Sequence, residues 1–148
     1  MTTQHLTSPP VTPAPPLVPV AAATFAGTAL FTALGTVLSG EGDEHGWGEL
    51  AFVLGIALVA VVGVMALVRR LQDSRKAAGV GLALSVFGLA TVLVFFMGLT
   101  PAFAVGGMLL GAAARRTQVR PGLGGAAIAV GALALLGYVA IYVTDLIS

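Results

Sequence analysis

The chain has no cysteine, and only 9% of its residues are charged. The absence of cysteine excludes disulfides, thiolate metal ligands, iron–sulfur clusters and cysteine nucleophiles. A hydrophobic content of 57% and a mean hydropathy of +1.01 lie far outside the composition of soluble domains. The net charge of +1 gives no reason to expect nucleic acid as a partner. We therefore expect the lipid bilayer to be the natural solvent of this chain.

Sequence motifs for catalysis and nucleotide binding are also missing. None of GxxxxGK[ST], HExxH and GxSxG occurs, so no motif supports an ATPase, a zinc protease or a serine hydrolase. The glycine-rich stretch RPGLGG at 120–125 lacks the strand, lysine and acidic residue of a nucleotide site, and it is interpreted as the start of a helix. The sequence predicts a protein that is not an enzyme and binds neither a cofactor nor a nucleotide.

Long apolar runs predict an all-α integral membrane bundle of about five transmembrane helices. One crossing of the hydrocarbon core needs about 20 apolar residues. Residues 77–114 hold 38 uncharged residues, too many for one crossing, so helices three and four should form a hairpin that breaks near Pro101. Helix four is short and glycine-rich, so a tilted, kinked or only partly spanning helix is expected there. The five helices are predicted at 17–38, 50–68, 78–97, 101–114 and 123–143.

Six of the eight prolines fall within the first nineteen residues. This composition favours polyproline II or disorder, so residues 1–16 are predicted to be a cytoplasmic tail and not a domain. The spacing of Pro10, Pro13 and Pro16 matches the PxxP pattern of SH3 ligands, although a spacer is the commoner role of such tails. No Lys or Arg precedes the first apolar run, which is therefore interpreted as a retained helix and not a signal peptide.

The seven basic residues are confined to two short segments between predicted helices. Cytoplasmic loops collect Lys and Arg, so both segments should face the cytoplasm, with the N-terminus inside and the C-terminus outside the cell. The excess of Arg over Lys and the heavy use of Ala, Gly and Val suggest a bacterial plasma membrane. The first segment holds Arg69, Arg70, Arg75 and Lys76, and the second holds Arg115, Arg116 and Arg120.

The same orientation places a set of aromatic residues near the outer interface, where aromatic rings anchor membrane helices. They are Trp47, Phe52, Phe95, Phe96, Phe103 and Tyr142.

Small and hydroxylated residues recur at intervals of four along several helices. Such side chains let membrane helices approach closely, whereas a row of hydroxyls can also line a path for water or a polar solute. We expect packing in each case, between helices of one chain or of two copies. The residues are Thr24, Thr28, Thr32 and Thr36 on helix one; Ala77, Gly81 and Ser85 on helix three; Gly107 and Gly111 on helix four; and Gly125 and Ala129 on helix five.

The predicted outer loop at 39–49 gathers four acids and a histidine. Carboxylate oxygens and an imidazole are cation ligands, and Glu41, Asp43, Glu44 and His45 are the candidates. Their spacing matches neither an EF-hand nor a zinc motif. We interpret the loop as a solvated acidic segment on the side of the membrane where basic residues are avoided.

Three stretches of the second half of the chain resemble a family. They are GVGLALSVFGL, the hairpin FMGLTPAFAVGGMLLGAAARR and RPGLGGAAIAVGALALLGYV. They are similar to glycine/alanine-rich hairpin domains of unknown function in small multi-pass membrane proteins of actinobacteria. Pro101 and residues 110–115 and 124–131 occupy the places of the family's turn, helix end and helix start, except that Val130 interrupts the last alanine–glycine step. The resemblance implies the hairpin and no activity or ligand.

These observations favour a non-enzymatic accessory or interaction component of the plasma membrane. Its expected partners are the lipid bilayer and either a second copy or another membrane protein. The alternative is a small oligomeric channel or passive carrier that uses the threonine face of helix one. An active ion-coupled transporter is disfavoured, because no Asp, Glu, Lys, Arg or His lies inside a predicted span.

Overall fold

The computed structural model describes residues 16–38, 46–94, 99–118 and 120–147, which form helices joined by short turns. The helices are α1 (Leu17–Leu38), α2 (Gly46–Leu71), α3 (Ala77–Val94), α4 (Leu99–Arg116) and α5 (Pro121–Ile147). No strand occurs within the described residues, and the prediction of an all-α helical bundle is confirmed. Three segments are long and apolar enough to cross a membrane: Leu17–Leu34, Leu50–Leu71 and Pro121–Thr144.

Helix α1 has its predicted ends, whereas α2 is longer than predicted at both ends. It begins at Gly46 and not at residue 50, because the cost of glycine in a helix, about 1 kcal/mol, does not prevent an extra turn at the end of a long apolar helix. It continues through Arg69 and Arg70 to Leu71, since cations in the last turn interact favourably with the helix dipole. Likewise, α5 begins at Pro121, a favoured first helical residue, and reaches Ile147.

Helix α4 begins two residues earlier than predicted, and the predicted end of helix three at Met97 lies outside the described residues. Helix α3 ends at Val94 and α4 begins at Leu99, so Pro101 is the third residue of α4 and not its first. A proline is tolerated there because the N–H groups of the first turn have no partner inside the helix. With 18 residues, α4 is about 27 Å long, against the 14 residues predicted.

Helix α4 lies at the centre of the bundle and contacts each of the other four helices. It runs antiparallel to both α3 and α5. Along α3, Gly81 lies against Gly107 and the later Gly88 against Ala104. Along α5, Gly124 lies against Gly111 and the later Gly131 against Ala104. The packing of α3 and α4 is the arrangement that the predicted hairpin requires. Ten of the residues of α4 are buried. The element that looked weakest in sequence is therefore the most enclosed one in the described fold.

The buried and the exposed apolar residues of the bundle differ in size. Among the described residues, nine of the fifteen buried hydrophobic residues are alanine, whereas all fifteen of the exposed large hydrophobic side chains lie on α1, α2, α3 or α5. Val59, Leu136 and Ile147, for example, are 73%, 69% and 80% exposed. A soluble protein places large apolar side chains inside, whereas membrane helices use small residues where they touch each other. The described surface thus has the arrangement expected of a lipid-facing belt.

Candidate functional site

The closest helix contacts form a seam of small residues along α4, which we call the glycine seam and define as Gly81, Ser85, Gly107, Gly111 and Gly124. On its α3 side, a Cβ atom added to Gly107 would lie 2.7 Å from the carbonyl oxygen of Gly81 and 2.8 Å from the backbone nitrogen of Ser85. A Cβ added to Gly81 would lie 2.9 Å from Cβ of Leu110. The backbones of α3 and α4 are therefore in direct contact.

On the α5 side of α4 the approach is equally close. A Cβ added to Gly111 would lie 2.6 Å from the carbonyl oxygen of Gly124, and one added to Gly124 would lie 2.5 Å from that of Gly111. The stripe predicted on α5, Gly125 and Ala129, faces elsewhere: nothing lies within 4 Å of a Cβ on Gly125, and Ala129 is exposed. The sequence holds adjacent glycines at 124 and 125, so small-residue spacing alone could not select the contacting face.

Ser85 connects α3 with α5 through the middle of the seam. Its side chain is fully buried, and its hydroxyl donates a hydrogen bond of 2.7 Å to the carbonyl oxygen of Ala127. A second interhelical pair joins α3 to α4, where the hydroxyl oxygens of Thr91 and Thr100 lie 3.0 Å apart. These two contacts add directional bonds between helices to the close packing.

The threonine row of α1 faces the bundle. Thr28 is 1% exposed, and Thr24 and Thr32 are half-buried. Each of the three hydroxyls donates to the carbonyl oxygen four residues earlier in α1, at 2.8 to 2.9 Å. The side chain of Thr36 lies outside the described residues. The donors of this row are therefore engaged within α1 itself, as is common for threonine in membrane helices.

Aromatic side chains attach the second half of α1 to α5. The ring of Phe31 lies 6.0 Å from that of Tyr138 and 5.5 Å from that of Tyr142, and the two tyrosine rings are 4.9 Å apart. Tyr142 was predicted as an interface anchor, and the structure adds that it packs against α1. Sequence reasoning missed this cluster, because a shared contact between the first and last helices leaves no local pattern.

The other predicted aromatic anchors are placed as follows. Phe52 is 63% exposed on α2, and Phe103 packs edge-on against Phe87 at 5.0 Å. The side chain of Trp47 and residues Phe95 and Phe96 lie outside the described residues.

The candidates for a cation site also lie outside the described residues; they are Glu41, Asp43, Glu44 and His45. Among the residues that are described, no group of three His, Asp or Glu side chains could hold a metal ion.

The two basic segments lie at the same end of the bundle. Val68, Ala77 and Ala114 belong to one buried cluster, and they are the chain neighbours of Arg69, Lys76 and Arg115. All seven basic side chains are exposed, as is Asp73. In the second segment Gln118 and Arg120 adopt left-handed backbone conformations, with φ of 55° and 56°, and the Gln118 side-chain amide donates to the Arg115 carbonyl oxygen at 3.0 Å.

The described helices contain no ionisable Asp, Glu, Lys, Arg or His between their terminal turns. They offer close backbone contacts and engaged hydroxyls inside, large apolar side chains outside, and cations at one end. Such an arrangement can pack helices and contact lipid or protein. No protein-family model, curated protein or solved structure matches the chain.

Proposed function

We propose that this chain is a multi-pass integral membrane protein in which all five helices cross the bilayer, with the basic end on the cytoplasmic side. The observation that carries the proposal is the sorting of residues by size, with alanine and glycine inside and large apolar side chains outside. No large hydrophobic side chain of α4 is exposed, and the burial of α4 among the other helices supports a span that composition alone would not suggest.

Within the membrane, the protein acts as a non-enzymatic accessory or interaction component of the plasma membrane. Two features support this role: the described helices hold no Asp, Glu, Lys, Arg or His between their terminal turns, and four of them present large apolar side chains outward. The resemblance to small actinobacterial membrane proteins agrees with this setting and adds no activity. A channel along the threonine face is less well supported, since Thr28 is buried and its hydroxyl donates to its own helix.

Membrane topology is testable with single cysteines, since the chain has none of its own. Cysteines at Gly42 and Ser148 are expected to react with an impermeant maleimide in intact cells. Cysteines at Ser74 and Thr117 are expected to react only after lysis, because both basic segments are proposed to be cytoplasmic. Labelling of the Thr117 position from outside would refute the hairpin and the five-span topology. A cytoplasmic protein with an exposed thiol should stay unlabelled in the same cells, which checks that they are intact.

The interaction role is testable with photo-crosslinking side chains placed at outward positions in native membranes. The positions Leu30, Val59, Phe87 and Leu136 cover α1, α2, α3 and α5, and a buried position, Leu110, is the matched control. A discrete crosslinked protein is expected from one or two adjacent helices, because an interface covers only part of the surface. Crosslinks to lipid alone from all four outward positions would contradict an interaction role.

A further inference from the structure

The basic end of the bundle carries an unusual concentration of charge. Seven exposed cations face a single exposed acid, Asp73, within the described residues of that end. Sequence reasoning explains these cations by topology alone, as charges that keep two separate loops in the cytoplasm. Topology requires only that each loop be basic. It does not require the two loops to form one surface, and this is the feature that the structure adds.

The convergence of the loops follows from the packing beneath them. Val68 at the end of α2, Ala77 at the start of α3 and Ala114 near the end of α4 share one buried cluster. The cations that follow or precede them in the chain therefore surround a common apolar base. Helices α2 and α4 pack in parallel, because the earlier residue Val61 clusters with Ala102 and the later residue Val68 clusters with Ala114. Their terminal arginine pairs therefore project from neighbouring helix ends. The joint surface, which we call the basic surface, comprises Arg69, Arg70, Arg75, Lys76, Arg115, Arg116 and Arg120.

We propose that the basic surface binds the headgroups of anionic phospholipids in the leaflet that it adjoins. The cations begin where the apolar parts of α2 and α4 end, which in a bilayer is the depth of the lipid phosphates. Juxtamembrane clusters of this size attract anionic lipid. Six of the seven are arginine, whose planar guanidinium forms paired hydrogen bonds with phosphate oxygens. The charge of such headgroups complements the surface. This inference rests on the proposed membrane residence and goes beyond it.

Lipid retention by the purified full-length protein tests the inference. Native mass spectrometry from mixed micelles with equal phosphatidylglycerol and phosphatidylcholine should show preferential retention of phosphatidylglycerol at low salt. The double variant R70Q/R120Q, with one change in each loop, should reduce that preference at least about threefold, since each cation near the surface contributes to headgroup attraction. The matched variant R70K/R120K keeps the charge and should retain more than half of the preference.

Other outcomes would overturn the inference. Equal retention of the two lipids by the unchanged protein would do so, as would an R70Q/R120Q variant that unfolds at the same temperature and keeps the full preference. Displacement of the lipid by millimolar inorganic phosphate would indicate a small-anion site. Binding of a polyglutamate peptide more tightly than phosphatidylglycerol would indicate an acidic protein partner. Resistance of the protein to carbonate extraction from membranes reports on the proposed membrane residence independently of any lipid preference.

Discussion

Replacement of Gly107 with alanine is expected to destabilise the purified protein by about 3 kcal/mol, at the upper end of the usual cost of overpacking. The new methyl group would meet the Gly81 carbonyl oxygen at 2.7 Å and the Ser85 nitrogen at 2.8 Å, in addition to the Ser85 hydroxyl. Backbone atoms cannot rotate away as a side chain can. Helices α3 and α4 would have to separate along their whole contact, and loss of folded protein on heating in detergent would measure the effect.

Three further variants test the cause of this expected loss. Gly63 lies on the exposed side of α2 with nothing within 4 Å of an added Cβ, so Gly63→Ala should be neutral or stabilising by up to about 1 kcal/mol. Ser85→Ala alone should cost about 0.6 kcal/mol, the average for an interhelical hydrogen bond in a membrane protein. The double variant G107A/S85A should stay unstable. Full recovery in the double variant would show that the hydroxyl, and not the backbone, limits the approach.

A second large loss of stability is expected for substitution of Gly124, and its neighbour Gly125 provides the control. A methyl group on Gly124 would lie 2.5 Å from the Gly111 carbonyl oxygen and 3.0 Å from Cγ of Arg115, whereas one on Gly125 would meet nothing within 4 Å. We expect Gly124→Ala to cost about 2 to 3 kcal/mol by forcing α4 and α5 apart. Gly125→Ala should be neutral or slightly stabilising, because alanine has the higher helix propensity.

Thermal unfolding midpoints of the two variants in one detergent provide the measurement. The variants differ by one position in the same helix, so general effects of an added methyl group on helix propensity or detergent binding cancel. Similar midpoints for the two variants would contradict the described packing of α5. A lower midpoint for Gly125→Ala than for Gly124→Ala would place the other face of α5 against α4.

Helix number and approximate position were predictable, because charge and proline interrupt long apolar runs. The start of α4 was placed two residues too late, since a proline marks the first turn of a helix and not necessarily its first residue. The burial of α4 was not predictable. Its glycine content suggested a weak or partial span, whereas glycine here permits close approach to neighbours that lie far away in sequence. Local composition does not distinguish these two uses of glycine.

The glycine seam was likewise only partly predictable from sequence. The spacing at Gly81, Ser85, Gly107 and Gly111 was visible in sequence, and the structure brings these residues together around α4. The partner face on α5 was not visible, because adjacent glycines satisfy a four-residue spacing equally well. The convergence of the two basic segments also depends on parallel packing of α2 and α4, which are separated by a complete helix.

The central position of α4 constrains how the protein is assembled. In the proposed membrane setting, α1 to α5 insert in the order in which they are made, so α4 arrives when α3 is present and α5 is not yet made. Until then the Gly111 face has no partner, and the backbone oxygen atoms that Gly124 later covers remain open. Helix α5, which is made after the other four, therefore encloses the helix on which all of them pack.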